Sequence, residues 1–457
     1  MRIPMARIGV LILNKQIRQR QVTKDAAFDD IKHIGFRSVI QDAVDAGHSI
    51  EYVSPHNAHE CDHVLFSIVS YYDAYNLFEN KTRFHPSISQ KLILGGAGMS
   101  NAIPFRDIAA AVCFGRGETL VPSIIERKEI PNVWYHSDQG FEGRYEIGQV
   151  KKWVQTDHIK TGELPKGLSG FQESHIGCRK KCYFCQYTWK NQFTKDDSRI
   201  GYKSGLNDCE NTIAEIEWGR DGTHANHNIT AIDGATERSR RAVNRANITN
   251  LKIIETLYRF FEQSVHEVAT LKLYCVVGYP FETKSDLDFE ELMGLFKIVD
   301  ESLPASEKKK LHIFITCTHF VPMPFTPMQG EPVNTFNVRQ YLHEKKPKYQ
   351  GRCIVAKIMS QITSPAAAME QAIYNRCKNG DEKYMLAITS PLYNRLDSGQ
   401  KIRFIQKNIP QRLWGKTDDI IHDYIGSPYE LENVIKAYRE GVAKLYPEFS
   451  YENTIQK

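Results

Sequence analysis

Apolar and polar positions alternate along this chain in two distinct rhythms. Near the N-terminus, Ala6 to Leu13 is a continuous apolar run and reads as a buried strand. Asp25 to Ala46 follows with helical spacing through Phe28, Ile31, Ile34, Val39 and Val44, and Gly47 closes it, as glycine does past a helix end. Short apolar runs recur at Ser49 to Val53, His63 to Ser70, Gln90 to Leu94 and Ala110 to Phe114, with a helix expected over Glu118 to Glu126. Strands alternating with helices predict a Rossmann-like, doubly wound α/β sheet over residues 1–135. Residues 136–167 mix polar and basic side chains with several glycines and read as a linker.

The same alternation returns over residues 168–330. Strands are expected at Phe171 to Ile176, His227 to Ile232, Thr270 to Val277 and Leu311 to Cys317. Asn207 to Gly219 has helical spacing. Thr249 is placed to cap a helix whose apolar face is Ile254, Leu257, Tyr258 and Phe261. Thr283 and Asp286 form a capping-box variant for a helix running from Ser285 to Val299. Residues 331–457 read as mostly helical, over Ile354 to Ile362, Ala366 to Cys377, Leu396 to Asn408 and Tyr429 to Tyr446.

At 457 residues and 41% apolar content, the chain is long enough for two or three domains with real cores. No apolar run approaches the length of a membrane span, and the N-terminus lacks the apolar stretch of a signal peptide. Ten cysteines in so long a chain do not make a disulfide scaffold, so a reducing, cytoplasmic setting is expected. The net charge of +5 permits nucleic-acid binding without demonstrating it. A C-terminal stretch, Lys401, Arg403, Lys407, Arg412 and Lys416, interleaves cations with Phe404 and Trp414. That mixture suits a nucleic-acid surface as well as it suits a solvated helical face. Lys308-Lys309-Lys310 and Lys345, Lys346 and Lys348 are further basic runs.

Seven cysteines are scattered singly, but Cys178, Cys182 and Cys185 share the run Gly177-Cys-Arg-Lys-Lys-Cys-Tyr-Phe-Cys185. Three thiolates spaced C-x-x-x-C-x-x-C can face one metal centre from a single loop. No fourth local cysteine completes a tetrahedral zinc site, although His175 is close enough in sequence to keep zinc open. Iron–sulfur clusters usually take four cysteines, so three leave one iron with an open position. Burying the loop as ordinary core is disfavoured by Arg179, Lys180 and Lys181.

The cysteine triplet, with Phe184 before the last cysteine, resembles the cluster loop of radical S-adenosylmethionine (radical SAM) enzymes. Segments in the same order extend the resemblance over roughly residues 85–330. Leu92-Ile93-Leu94-Gly95-Gly96 and Gly117-Glu118-Thr119-Leu120 resemble the cobalamin-binding-type domain that precedes the barrel in one subgroup. Asp233-Gly234-Ala235-Thr236-Glu237-Arg238 and Gly278-Tyr279-Pro280-Phe281-Glu282-Thr283 resemble two segments at the ends of barrel strands. The resemblance implies a (β/α)6 barrel, partial or contracted, since only about 48 positions separate Cys185 from Asp233.

It further implies a 4Fe-4S cluster on Cys178, Cys182 and Cys185 that binds S-adenosylmethionine at its open iron. One electron from an external flavodoxin- or ferredoxin-type donor would cleave the cofactor to methionine and a 5′-deoxyadenosyl radical. Backbone at Tyr183 and Phe184 would meet the adenine; Gly234, Glu237 and Arg238 the ribose and methionine ends; Gly278 and Glu282 the far adenine edge. Gly95 and Gly96 would let the backbone approach a cobalamin, although the subgroup's Asp-x-His-x-x-Gly motif is absent. The reaction that follows, methylation or radical isomerisation, stays open, as does the residue acting on the substrate. The basic, aromatic-containing C-terminal part points to a base in DNA or RNA as substrate, with a small metabolite or peptide as the alternative. The non-catalytic alternative is a zinc or iron–sulfur nucleic-acid-binding protein.

Overall fold

The computed structural model describes residues 5–13, 34–137, 140–144, 146, 156–160, 173, 175–196, 227–263, 267–287, 289–303, 310–336, 338, 343–344, 355–417 and 431–449. The helix expected over Asn207 to Gly219 and the first part of the one expected from Asp25 lie outside them, as do Phe171, Gln172 and Ser174.

The N-terminal strands are β1 (Arg7–Leu11), β2 (Ser49–Val53), β3 (His63–Ser67), β4 (Leu92–Gly95) and β5 (Ala111–Cys113). They pair in parallel in the order β2-β1-β3-β4-β5. Side chains alternate across this sheet. Ile8, Leu65, Ile93 and Ala111 meet one layer, made by α1 (Ile34–Asp45) and α3 (Val121–Ile125). Val64, Phe66, Leu92, Leu94 and Val112 meet α2 (Tyr71–Glu79) on the other face.

The sheet does not stop at residue 135. Strands β6 (Val133–Ser137) and β7 (Gly140–Gly143) extend it as an antiparallel hairpin, so the first part of the expected linker is sheet. Trp134 anchors this edge, buried against Phe114 with ring centroids 4.7 Å apart.

The cysteine segment follows. Strand β8 (His175–Ile176) pairs antiparallel with β9 (Thr194–Lys195), and α4 (Gln186–Lys190) lies between them. The expected first barrel strand is thus a two-residue ribbon within the described residues. It belongs to a small sheet of its own.

Four strands form the second large sheet, β10 (His227–Ala231), β11 (Val268–Val277), β12 (Lys310–His319) and β13 (Val355–Ile362). All are parallel and neighbours in chain order. Helices α5 (Glu237–Ala242), α6 (Asn250–Gln263), α7 (Lys284–Leu287) and α8 (Glu290–Ser302) form the connections. Leu271, Leu273, Ile313 and Ile315 bury one face against Leu257, Phe260, Leu292 and Phe296. An open parallel sheet of four strands is what the described residues show; a closed barrel is not among them.

Thr249 does cap α6, its hydroxyl accepting from the Lys252 amide at 3.2 Å. Thr283 and Asp286 also pair as expected, at 2.9 Å from the Thr283 amide. The helix they start is nevertheless short. Phe289, with φ of +62°, separates α7 from α8.

The C-terminal region corrects the expectation twice. Ile354 to Ile362 has helical spacing, but Val355–Ile362 is β13, parallel to β12 from Leu311 to Cys317 with a register shift between Leu311 and His312. Helices α9 (Pro365–Arg376), α10 (Glu382–Thr389), α11 (Pro391–Asn394) and α12 (Ser398–Asn408) do not stand apart either. Met369, Ile373, Met385 and Ile405 share one core with the α2 face of the N-terminal sheet. Polar bonds fix the contact: the Tyr75 hydroxyl donates to the Glu370 carbonyl at 2.6 Å, and Asn101 donates to the Tyr374 and Cys377 carbonyls at 2.9 and 2.8 Å. The last helix, α13 (Leu431–Leu445), packs on α5. Among the described residues no helix is long and apolar enough to cross a membrane.

Candidate functional site

Local chemistry explains the shape of the cysteine loop. Gly177 has φ of +75°, and a Cβ there would lie 2.8 Å from the Gln192 carbonyl oxygen, so only glycine fits. Its amide donates to the Tyr187 hydroxyl at 2.8 Å. The short helix α4 then holds the loop's carbonyls from one side. Thr188 donates to the Cys178 carbonyl at 2.8 Å and the Trp189 indole to the Cys182 carbonyl at 2.9 Å. Lys181 closes the arrangement by donating to the Thr188 carbonyl at 2.9 Å and lying over the Trp189 ring. These carbonyls are thereby satisfied inside the loop, and the Lys180 amide donates to the Cys178 sulfur at 3.4 Å.

Cys178 and Cys182 are buried, and Cys185, at the N-cap of α4, is half-buried. Burial pushes the Cys182 thiol well up. The Arg245 guanidinium opposes that shift, whereas Asp233, Cys185 and Cys178 add to it. Cys182 therefore lies within electrostatic reach of Arg245, Asp233 and the other two cysteines. Among the described residues no group of three His, Cys, Asp or Glu side chains converges tightly enough to hold a single metal ion. The donor set is three soft thiols in one loop, which suits an iron–sulfur cluster.

The loop rests on the carboxyl edge of the second sheet, where parallel α/β folds place their working residues. The Asn244 side-chain amide donates to the Lys180 and Lys181 carbonyls at 3.1 and 3.0 Å, and the Tyr183 backbone amide donates to the Val243 carbonyl at 3.3 Å. Phe184 meets Tyr279 with ring centroids 5.8 Å apart, and Tyr183 meets Tyr438 edge-on at 5.4 Å. The three expected segments after Ile176, Ile232 and Val277 thus converge around one aromatic cluster that includes Phe281, Phe320 and Tyr446.

Individual residues differ in how free they are. The Gly234 carbonyl accepts from the Arg240 guanidinium at 3.0 Å. Glu237 is engaged: its carboxylate accepts from the Asn250 amide at 2.7 Å at the start of α6, and its own amide donates to Glu291. Arg238 is engaged as well, bonded to Asp286 at 2.8 Å and Glu448 at 2.9 Å, with its guanidinium 4.0 Å from the Tyr446 ring centre. Burial pushes the Asp286 carboxyl up, but the bonds from Arg238 and Thr283 prevail and hold it below its ordinary value. Glu237 and Arg238 are scaffold for α5, α6 and α7.

Gly278 has φ of +75°, and its amide donates to Glu282 at 2.7 Å, beside the Tyr279 amide at 3.0 Å. Burial lifts the Glu282 carboxyl to about 8, against those amides and Ser239, which act downward. A Cβ on Gly278 would sit 2.8 Å from Nδ1 of His319. His319 closes β12, is buried, and has no hydrogen-bond partner for either ring nitrogen among the described residues. Burial lowers it to about 4. His319 and Arg245 do not stand out as site residues in the sequence, whereas Asp233 opens the segment Asp233 to Arg238; the one signal for His319 is that it falls just past an apolar run.

Gly95 and Gly96 are placed differently. A Cβ on Gly96, at φ of +107°, would fall 2.4 Å from the Ile68 carbonyl oxygen. The Gly95 carbonyl accepts from the Ile68 amide at 2.7 Å. The following residues, Met99 to Ala102, are buried, with Ser100 and Asn101 bonded to α9 and its C-terminal end. Gly96 serves close packing of strand ends, whereas a Cβ on Gly95 would meet only Cys113, at 3.6 Å.

The basic C-terminal stretch is partly committed. Lys401 pairs with Glu370 at 3.3 Å, Arg412 donates to Asp381 at 2.9 Å, and Phe404 and Trp414 pack on the core. Lys308, Lys309, Lys345, Lys346 and Lys348 lie outside the described residues.

No family model matches this sequence, and no curated protein matches it. Among solved structures, one is described as the cobalamin-dependent S-adenosylmethionine radical enzyme OxsB with aqua-cobalamin bound. It is 12% identical, with a TM-score of 0.28, over 96% of this chain and 62% of that one. The present chain therefore spans less than two thirds of that protein's length, and the agreement in fold is low.

Proposed function

We propose that this chain is a radical SAM enzyme, with Cys178, Cys182 and Cys185 holding a 4Fe-4S cluster at whose open iron S-adenosylmethionine binds. One observation carries the reading. The three-cysteine loop lies on the carboxyl edge of a parallel sheet, pressed against the segments Asp233 to Arg238 and Gly278 to Glu282. Such a cluster, when bound, supplies the electron that breaks the cofactor's sulfonium–carbon bond.

The residues of the chain have their own tasks. The α4 side chains fix the loop backbone that carries the three sulfurs. Tyr183, Phe184 and Tyr279 form an apolar wall that excludes water from a reactive intermediate. Gly278 lets backbone lie against His319, and Gly234 lets it lie against Ser239 and Arg240. Glu237 and Arg238 act through the scaffold, by holding α5 and α7 in place. No step is assigned to cobalamin.

The cations and aromatic rings that suggested DNA or RNA are partly engaged within the protein, so a metabolite or peptide stands level with a nucleobase. A flavodoxin- or ferredoxin-type protein would deliver the electron. The test is anaerobic reconstitution with iron and sulfide, then reduction in the presence of S-adenosylmethionine, alone and with DNA, RNA or cell extract. Mass spectrometry should find methionine with 5′-deoxyadenosine, or S-adenosylhomocysteine if methyl transfer follows. Intact S-adenosylmethionine in every arm contradicts the proposal.

A further inference from the structure

Arg245 has no exposed surface, yet it sits beside the cysteine loop. Val243 and Asn244, the two residues before it, hold the loop through the Val243 carbonyl and the Asn244 side-chain amide. The Arg245 side chain runs inward from there to the end of β10. Its Nε lies 2.8 Å from Asp233 Oδ2, and its Nη2 donates to the Ala231 carbonyl at 3.3 Å. Its backbone amide donates to the Arg240 carbonyl at 2.7 Å, so the backbone position is fixed too.

Asp233 is held just as firmly. It has φ of +53°, an unusual region for a residue other than glycine, and its carbonyl accepts from the Tyr279 hydroxyl at 3.0 Å. Backbone strain of this kind survives only where the surroundings fix it. A buried ion pair is also a poor source of stability, because desolvation offsets most of the attraction. Burial and these bonds fix two opposite charges within electrostatic reach of the Cys182 sulfur.

We propose that the Asp233–Arg245 pair sets the reduction potential of the cluster bound by Cys178, Cys182 and Cys185. This inference rests on the cluster reading above. Cluster potentials depend on net charge, hydrogen bonds to sulfur and exposure to solvent. One electron from an external one-electron donor adds a unit of negative charge to the site, and no proton need accompany it. A fixed buried cation favours the reduced form and raises the potential; a fixed anion lowers it. Arg245 and Asp233 therefore act in opposite directions on the same site.

The experiment is a dithionite titration of the reconstituted protein followed by electron paramagnetic resonance, with iron and sulfide counted in each sample. Arg245→Gln should shift the midpoint to a more negative potential and Asp233→Asn to a less negative one. Arg245→Lys, which keeps the charge, should stay near the parent. A purely structural role predicts shifts of one sign, since loosening the loop exposes the cluster in either variant. Variants that hold iron and share the parent potential overturn the proposal, as do two shifts of the same sign. If Arg245→Gln takes up no iron, Asp233→Asn decides alone, and a potential equal to or below the parent's overturns it. A parent protein that binds no iron–sulfur cluster defeats the underlying reading instead, a separate result visible before any titration begins.

Discussion

The side-chain amide of Asn244 donates to the carbonyl of Lys181 at 3.0 Å, joining the loop after α5 to the cysteine loop. It makes the same bond to Lys180 at 3.1 Å, from a backbone with φ of +64°. Asn244→Ala removes both bonds and places a less tolerant residue in a left-handed conformation. The expected loss is about 1–2 kcal/mol of stability. Asn244→Gly, which relieves the backbone, should recover part of it. Chemical denaturation of the three proteins checks the order.

Two glycines should respond with opposite signs. Gly96→Ala drives a Cβ to 2.4 Å from the Ile68 carbonyl oxygen at a positive φ, and should cost about 2 kcal/mol or more. Gly294 lies inside α8, and the place a methyl group would take there has no neighbour within 4 Å, so Gly294→Ala should gain about 1 kcal/mol. Thermal unfolding reads both, and equal effects would contradict the packing assigned to Gly96.

Glu282 gives a pH signature. Its carboxyl is raised to about 8 in the folded chain by burial, and returns to its ordinary value near 4.5 on unfolding. A raised folded value means that the contribution is complete below about 4.5 and is lost as pH climbs toward 8. Glu282→Gln keeps an oxygen for the Gly278 and Tyr279 amides but cannot ionise. Relative to the variant, the parent should lose stability between about pH 5 and 8. Parallel stability curves across that window would contradict this environment for Glu282.

Arg116 bonds Glu173 through both guanidinium ends at 2.9 and 2.8 Å and also lies 3.4 Å from Glu118. Both carboxylates are buried. The contact ties the end of β5 to the segment leading into the cysteine loop. Arg116→Ala leaves two buried carboxylates without their cation and should cost about 3–5 kcal/mol. A loss under about 1 kcal/mol in denaturant unfolding, the range of an exposed pair, would show that the pair is solvated instead.

How much of this was legible in the sequence depends on distance along the chain. Short apolar runs located β1 to β5 and β10 to β12, because a local run of strand-forming residues carries that signal without long-range partners. The caps at Thr249 and Thr283 were legible for the same local reason. β13 was not: Val355, Ile358, Met359 and Ile362 fall at helical spacing, and only pairing with β12 makes them a strand. The hairpin β6–β7 was hidden by its polar, glycine-containing edge sequence. The sharing of a core between Phe66 or Phe78 and Met369 or Ile373 joins residues far apart in the chain and leaves no periodic trace. At the site, motif and order pointed to the cysteine loop and to the segments at the strand ends, and Tyr183, Phe184, Tyr279 and Phe281 share one aromatic cluster. The bonds of Glu237 and Arg238 to Asn250, Asp286 and Glu448 were not legible, because those partners lie on other elements.

The central claim is that Cys178, Cys182 and Cys185 hold an iron–sulfur cluster, and metal analysis of anaerobically purified, reconstituted protein tests it most directly. The expected result is about four iron and four sulfide per chain with no zinc, and loss of both in Cys182→Ala while the far-ultraviolet circular dichroism stays unchanged. One zinc per chain, or iron that Cys182→Ala retains in full, would contradict it.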